Sequence, residues 1–373
     1  MKSDRPYTVL QMLPALHAGG VERGTVEIAR HLIEQGHRSL VMSAGGRMEQ
    51  QLIQEGSRHI NWPVGKKSLS TFLLIPHLRR FLIEQRVDIL HLRSRMPAWI
   101  GYLAWRGMDP QTRPRLITSV HGAYSVNRYS AVMTKGERVI AVSETIRAYI
   151  LANYPQVAPD HIRLVHRGVD PIEFPYGYRP TETWLSQWQQ SYPQFAHKLL
   201  LVLPGRITRL KGQSDFIRLI ARLKRSGLAV HGLMVGEVDP RKRHYKQELD
   251  AEIRTLNLMQ DIDIIGHRSD LKEIMSVSNL VLSLSQSPEA FGRIVPEALS
   301  LGIPVAGYGH GGVGEVLRAL YPAGLVAPRD MDALEKTVIS CLSVPQTVAK
   351  NTLFTLADMQ LRTAAIYREL LES

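Results

Sequence analysis

A single cysteine, Cys341, stands in the 373-residue chain. An internal disulfide and a cysteine-built metal cluster are therefore both excluded, which fits a reducing compartment. No apolar stretch reaches the roughly 18–20 uninterrupted residues that would span a bilayer. The apolar run in MKSDRPYTVLQMLPALHAGG is interrupted by Gln11 and Pro14 and leads into a glycine turn, so a first strand is expected there rather than a secretory leader. There is no tandem repeat or low-complexity tract, no H-E-x-x-H and no G-x-S-x-G. The one tight D-x-D, Asp261-Ile262-Asp263, begins a strand rather than following one, so no metal site is expected. Acidic residues are in deficit: 34 against 46 Lys and Arg, a formal net charge of +12. That balance favours anionic partners, such as nucleotide diphosphates, nucleic acid or an anionic membrane surface. The basic residues form no stripe interleaved with aromatics, which speaks against nucleic acid.

What is present is organised around Ser285–Gly302, read as SQSPEAFGRIVPEALSLG. An apolar run ends at Leu284, and Ile294, Val295, Ala298 and Leu299 have helical spacing, so strand, turn and helix are expected. Glu289 then lies in the loop at a strand's carboxyl end. Glu297 lies about two turns into the helix, on the same crevice wall, where ligands of open α/β sheets bind. Two carboxylates suit a polyhydroxylated ligand, since each accepts two hydroxyl hydrogen bonds. A helix start that favours glutamate through its dipole explains Glu289 equally well.

Elsewhere, residues 7–13 read as a buried strand, and Gly19-Gly20 opens a helical segment where free N–H groups can meet a phosphate or sugar. Residues 66–86 form a basic amphipathic segment broken by Pro76, either core-packing or laid on a membrane surface. His121-Gly122 closes another strand; a histidine there can meet a ligand or be purely structural. Ser143 is placed as a helix N-cap. Residues 175–195, rich in Pro, Tyr, Trp and Gln, read as a linker between domains. Beyond it, a buried strand runs into Pro204-Gly205-Arg206 and Lys211-Gly212, with a helix from about Ser214. Two cations and a helix amino terminus converge there as they would on a diphosphate. Gly309, Gly311 and Gly314 fit G-x-G-x-x-G, but Asp330 follows too closely for a dinucleotide site. These glycines are read as a further loop facing the same phosphate or sugar. NAD-dependent oxidoreduction is thereby disfavoured.

Gly19-Gly20, His121-Gly122, Arg206 with Lys211-Gly212, and the E-x7-E of Glu289 and Glu297 followed by Gly311-Gly312-x-Gly-Glu resemble retaining glycosyltransferases of family 4. The strings LPGRITRLKGQ (203–213), PEAFGRIVPEALSLGIPV (288–305) and HRGVDP (166–171) are most similar to a proteobacterial branch that assembles lipopolysaccharide core. The resemblance implies an α/β protein of the GT-B plan, with two Rossmann-like domains facing each other across a deep cleft. Residues 1–185 would form the acceptor-side domain and 196–354 the nucleotide-sugar domain, with the helix at 355–373 packed back on the first. Hinge motion would centre on 175–195 and 350–360. The catalytic residues implied are His121, Glu289, Arg206 and Lys211. Arg206 and Lys211 would hold the donor diphosphate, with Gly205 beside them. Glu289 would take the donor sugar, helped by the N–H groups of Ala290, Phe291 and Gly292, and Glu297 the ribose. Gly266, His267 and Arg268 would touch the base, His121 the donor sugar, and Gly19 and Gly20 the phosphate and acceptor. No metal and no cofactor beyond the nucleotide-sugar co-substrate is expected. The implied partners are a nucleotide sugar, a saccharide or lipid-linked saccharide acceptor and the anionic inner face of the cytoplasmic membrane, in a cytoplasmic, peripheral setting. A nucleotide-sugar epimerase of the same architecture, and a non-catalytic sugar-binding protein, stand as alternatives. The chain has Glu289-Ala290-Phe291-Gly292 where many members have E-G-F-G, and Arg167-Gly168-Val169-Asp170 where many have Asn-Gly-Val-Asp.

Overall fold

The computed structural model describes residues 5–17, 19–238, 243–343 and 347–372. Residues 1–4, at the start of the stretch weighed as a leader, lie outside them. The chain divides into two compact units, Met1–Gly168 with Leu356–Ser373, and Val169–Thr355.

In the first unit, strands β1 (Thr8–Met12), β2 (Arg38–Ser43), β3 (Arg58–Asn61), β4 (Ile89–Leu92), β5 (Arg115–Val120), β6 (Arg138–Ala141) and β7 (Ile162–Leu164) alternate with helices α1 (Gly20–Glu34), α2 (Glu49–Gln54), α3 (Leu74–Glu84), α4 (Arg95–Arg106) and α5 (Glu144–Asn153). The strands form one sheet in the order β3-β2-β1-β4-β5-β6-β7, with every pairing parallel. Helices on both faces bury the central strands completely, which is why TVLQM and ILHL carry apolar residues without strict alternation. Ser143 caps α5, its Oγ accepting from the N–H of Ile146 at 3.1 Å. Pro76 does not break the basic segment. It sits in the first turn of α3, where its missing N–H is no loss, and a short 3-10 turn, Leu69–Leu73, precedes the helix.

The second unit opens with α6 (Glu182–Ser191), so residues 175–195 are not a linker. Thr181 caps the helix by accepting from the N–H of Trp184. Trp184 and Trp188 stack at 5.1 Å, and Trp188 and Phe195 pack on Leu200, Val202, Leu233, Val235 and Ile274. Burial of these aromatic rings fixes the stretch to the sheet, and the first unit accordingly ends at Gly168 rather than near residue 185. There follow β8 (Leu199–Pro204), α7 (Gln213–Arg225), β9 (Val230–Val235), α8 (Arg243–Thr255), β10 (Ile262–Ile264), α9 (Leu271–Ser276), β11 (Leu280–Ser283), α10 (Ile294–Ser300), β12 (Val305–Tyr308), α11 (Gly311–Leu320), β13 (Leu325–Val326) and α12 (Met331–Ser343). The sheet runs β10-β9-β8-β11-β12-β13 and is again parallel throughout. The last helix, α13 (Leu356–Glu372), belongs to the first unit. There Leu356, Met359, Ile366, Tyr367 and Leu370 join a core with Val9, Ile28, Ile89, Ile117, Ile140 and Val165. Among the described residues no helix is long and apolar enough to cross a membrane.

Each sheet reverses its strand order once near its middle, between β1 and β4 in the first unit and between β8 and β11 in the second. Loops leaving the carboxyl ends of such a strand pair diverge to opposite faces and leave a crevice for a ligand.

Candidate active site

In the second unit the loops from that switch point carry Lys211 and Glu289. The chain leaves β8 through Gly205 and Arg206, makes a short turn at Arg209–Lys211, and enters α7 at Gly212. Gly212 has φ +74, and a Cβ there would fall 2.0 Å from the carbonyl oxygen of Leu284. Only glycine fits both the left-handed backbone and that approach, and the β8 loop is thereby drawn onto the exit of β11. The N–H of Gln286 donates to the carbonyl of Leu210 at 2.7 Å and joins the two loops further.

Lys211 Nζ donates to Glu289 Oε1 at 2.8 Å, and Ser285 Oγ donates to the same oxygen. The two side chains remain 25% and 20% exposed, so the pair is reachable. Burial pushes the Glu289 carboxyl up. The Lys211 ammonium, the hydrogen bonds from Lys211 and Ser285, and nearby His310 outweigh it and hold the group below its ordinary value. Glu289 is thus a carboxylate at neutral pH. Its loop is pinned to the start of α11, where the N–H of Gly312 donates to the Glu289 carbonyl at 2.9 Å and His310 Nε2 donates to the Ser285 carbonyl at 2.7 Å. A Cβ on Gly312 would fall 2.3 Å from the Phe291 Cα, and one on Gly311 2.5 Å from the Glu289 carbonyl oxygen. The late glycine motif therefore lets a helix start pack against the Glu289 loop.

The other expected residues are placed unequally. Arg206 is exposed, with its carbonyl accepting from Gln213 Nε2 at 3.0 Å. Phe291 is buried, its ring 5.7 Å from that of Phe354, and anchors the loop containing Ala290 and Gly292. Glu297 is not two turns into its helix. α10 begins only at Ile294, after Gly292 turns the chain, so Glu297 lies in the first turn, 3% exposed, accepting from Arg293 Nε at 3.2 Å. Gly266, His267 and Arg268 follow β10, two strands from β8 in the sheet. Arg268 forks onto Asp270 at 2.8 and 2.6 Å, and Trp184 Nε1 donates to the same carboxylate. Sequence reasoning missed Ser285 and His310, whose partners lie four and 25 residues away.

In the first unit, Gly19 precedes α1 with extended backbone, φ 172, and the nearest atom to a Cβ there would be the mobile Glu22 carboxylate at 2.6 Å. Gly20 is the first residue of α1. His121 directly follows β5, its Nδ1 accepting from Arg167 Nη2 at 3.0 Å. Burial first, then Arg167, Arg93 and His91, push its pKa well below the ordinary histidine range. His91 lies within the sheet, bonded to Tyr367 OH at 2.7 Å and Ser119 Oγ at 2.6 Å. Neither Arg167 nor His91 had a sequence signal of its own beyond the departure at Arg167.

Two family models match: Glycosyltransferase Family 4 over residues 18–173 and Glycosyl transferases group 1 over residues 186–351. A glycosyltransferase from Rickettsia africae ESF-5 of known crystal structure is 30% identical, with 99% of each chain covered and a TM-score of 0.87. The chain belongs to the GT-B glycosyltransferases. The enzyme also shares its fold with Anabaena HepE, solved in complex with UDP and glucose, at 19% identity and a TM-score of 0.83 over 98% of this chain and 100% of that one. The phosphatidylinositol N-acetylglucosaminyltransferase GPI3 subunit of Saccharomyces cerevisiae (strain YJM789) is 22% identical over 80% of this chain and 67% of the yeast one.

Proposed function

We propose that the enzyme moves a sugar from a nucleotide-diphosphate donor to a saccharide acceptor with retention of configuration and without a metal ion, in lipopolysaccharide core or a related cell-envelope glycan. The observation that carries this reading is the Lys211–Glu289 pair at 2.8 Å on the β8/β11 switch point. A cation beside an acceptor-only carboxylate fits a ligand that is anionic at one end and hydroxylated at the other. Arg206 and Lys211 take the diphosphate beside Gly205 at the start of α7. Glu289 Oε1 is engaged by Lys211 and Ser285, so Oε2 serves the sugar hydroxyls, with the N–H groups of Ala290, Phe291 and Gly292. Glu297 is assigned to the ribose, Gly266–Arg268 to the base, and His121 to the donor sugar. Gly19 and Gly20 are assigned to the phosphate and acceptor. The extended backbone at Gly19 and its flexible neighbour give no internal reason for glycine there, which supports close approach of a ligand.

As the anomeric C–O bond breaks, charge gathers on the departing phosphate oxygen, and Arg206, Lys211 and the helix start stabilise it. The acceptor hydroxyl attacks from the same face and gives its proton to that oxygen. Glu289, held ionised, orients the sugar rather than forming a bond to it. The exposed Leu69 (88%), Leu73 (71%) and Ile83 (64%) near Lys66, Lys67 and Arg80 support a peripheral contact with the inner face of the cytoplasmic membrane, where a lipid-linked acceptor would lie. An epimerase would consume donor without an acceptor; likeness to transferases over the whole chain speaks for transfer.

The test is a metal-free thermal-shift panel of UDP, GDP, ADP and their sugar conjugates on wild type and Lys211→Ala. At a hundredfold excess over Kd, binding adds about 2.7 kcal/mol, about 5–11 °C in Tm for a unit of this size. The reading expects a rise with one nucleotide family that is lost in Lys211→Ala. No rise with any of them refutes it.

A further inference from the structure

Arg167 occupies a built seat in the first unit. It is 6% exposed, and a Cβ on Gly24 of α1 would fall 2.0 Å from its Nη1, so α1 leaves room for a guanidinium. From that seat Nη2 faces His121 Nδ1 at 3.0 Å. A guanidinium carries donors only and keeps its charge in proteins. Nδ1 must therefore be the acceptor, bare of a proton. An imidazole with bare Nδ1 is neutral and holds its one proton on Nε2. That Nε2 is buried, and no described group accepts from it. A buried donor without an acceptor calls for an explanation, and a ligand oxygen supplies one.

We propose that Arg167 is a positioning residue that locks His121 as the neutral Nε2–H imidazole, so that His121 offers one fixed donor to a substrate oxygen at every pH where histidine ordinarily changes charge. The inference rests on the assignment of His121 to the donor sugar. The groups around the ring act in the same direction. Arg167 follows β7, Arg93 follows β4 and His91 lies in β4, and all three oppose a positive charge on the ring. Tyr124 OH accepts from the His121 N–H at 3.3 Å and so fixes the backbone. From α1, Glu27 acts on Arg93. An asparagine at position 167 could donate or accept and would leave the tautomer open.

The test begins with ring-15N-labelled histidine in the full-length wild-type chain, by NMR from pH 5.5 to 8.5, with His121 assigned among the 14 histidines by its loss in His121→Gln. The proposal expects a bare Nδ1, a protonated Nε2 and no titration. A proton on Nδ1, a tautomer mixture, or titration in that range overturns it. In Arg167→Met, which keeps length but has no donor, His121 should sample both tautomers and begin to titrate. Gly24→Ala, which crowds the guanidinium, should do the same without altering either residue. Activity supplies the functional arm. His121→Ala and Arg167→Met should each lower kcat/KM by about 10–100-fold, and the double variant should lose no more than His121→Ala alone. Multiplying losses would mean that Arg167 acts independently, against the proposal. A silent His121→Ala with the expected NMR would overturn the sugar assignment of His121, whereas a proton on Nδ1 in an enzyme that needs His121 would overturn the lock and leave that assignment standing.

Discussion

Gly212→Ala is a severe test of how the second unit brings its two charged groups together. At φ +74 an alanine costs about 1–2 kcal/mol in backbone conformation alone. Its Cβ would also fall 2.0 Å from the Leu284 carbonyl oxygen, a backbone atom that cannot rotate away. Overpacking of this kind adds about 1–3 kcal/mol. At about 2–4 °C per kcal/mol, Tm should fall by about 4–20 °C. Gly227→Ala is the control. It has a similar φ, +82, in the same unit, but nothing lies within 4 Å of the added carbon. Only the conformational part remains, about 2–8 °C. Relief of the clash must part the β8 loop from the β11 loop and pull Lys211 from Glu289. A displacement of about 1 Å at a reacting site can reduce turnover about a hundredfold, so Gly212→Ala should lose that much and Gly227→Ala almost nothing. Differential scanning calorimetry and a donor-consumption assay read both effects. If Gly212→Ala melts no lower than Gly227→Ala and turns over like wild type, the close approach does not hold the site together.

Glu289→Gln keeps the shape of the side chain and should lower kcat by about 10²–10³, measured at saturating donor and acceptor. Because pairing depresses the folded-state pKa of Glu289, its contribution to stability is complete above the unfolded value of about 4.3 and is lost as pH falls through the lower folded value. The Tm gap between wild type and Glu289→Gln should therefore be constant from about pH 8 to 5 and shrink in more acid solution; a gap that widens on acidification contradicts the pair. Leu69→Ser with Leu73→Ser should leave Tm within about 1 °C, since both side chains are exposed. The double variant should bind anionic vesicles at least about tenfold more weakly in sedimentation; unchanged binding would remove this face from the membrane reading.

The alternation of apolar runs with amphipathic segments made both sheets legible, because parallel strands buried on two faces leave continuous apolar runs. Ser143, Lys211 and Glu289 could be placed from local signals, a cap or a strand exit. What was not legible depends on distance along the chain. Lys211 and Glu289 are 78 residues apart and pair only because Gly212 allows two loops to touch. Arg167 meets His121 across 46 residues, with the seat in α1 supplied by a glycine that reads as an ordinary helical position. The stretch 175–195 looked like a linker because its apolar content is aromatic rather than aliphatic and has no clean period. The rings nevertheless bury a helix against the second sheet. Glu297 was set too deep in its helix because the apolar spacing around it does not reveal that Gly292 delays the start to Ile294.

The return of α13 to the first unit bears on the order of assembly. The chain passes from the first unit to the second after Gly168 and back after Thr355. At the second unit's end of those crossings, the N–H of Val169 donates to the carbonyl of Phe354 at 2.9 Å. On the ribosome, β1–β7 emerge first, yet Val9, Ile89 and Ile140 lack the cover of Met359, Ile366 and Tyr367 until α13 has been made. His91, in the centre of that sheet, waits for the Tyr367 hydroxyl. The second unit, contiguous in sequence, can fold while the first is still open. Nascent first units thus carry an apolar face for the time it takes to translate residues 169–355, and shortening the chain from its carboxyl end would damage the unit that was synthesised first.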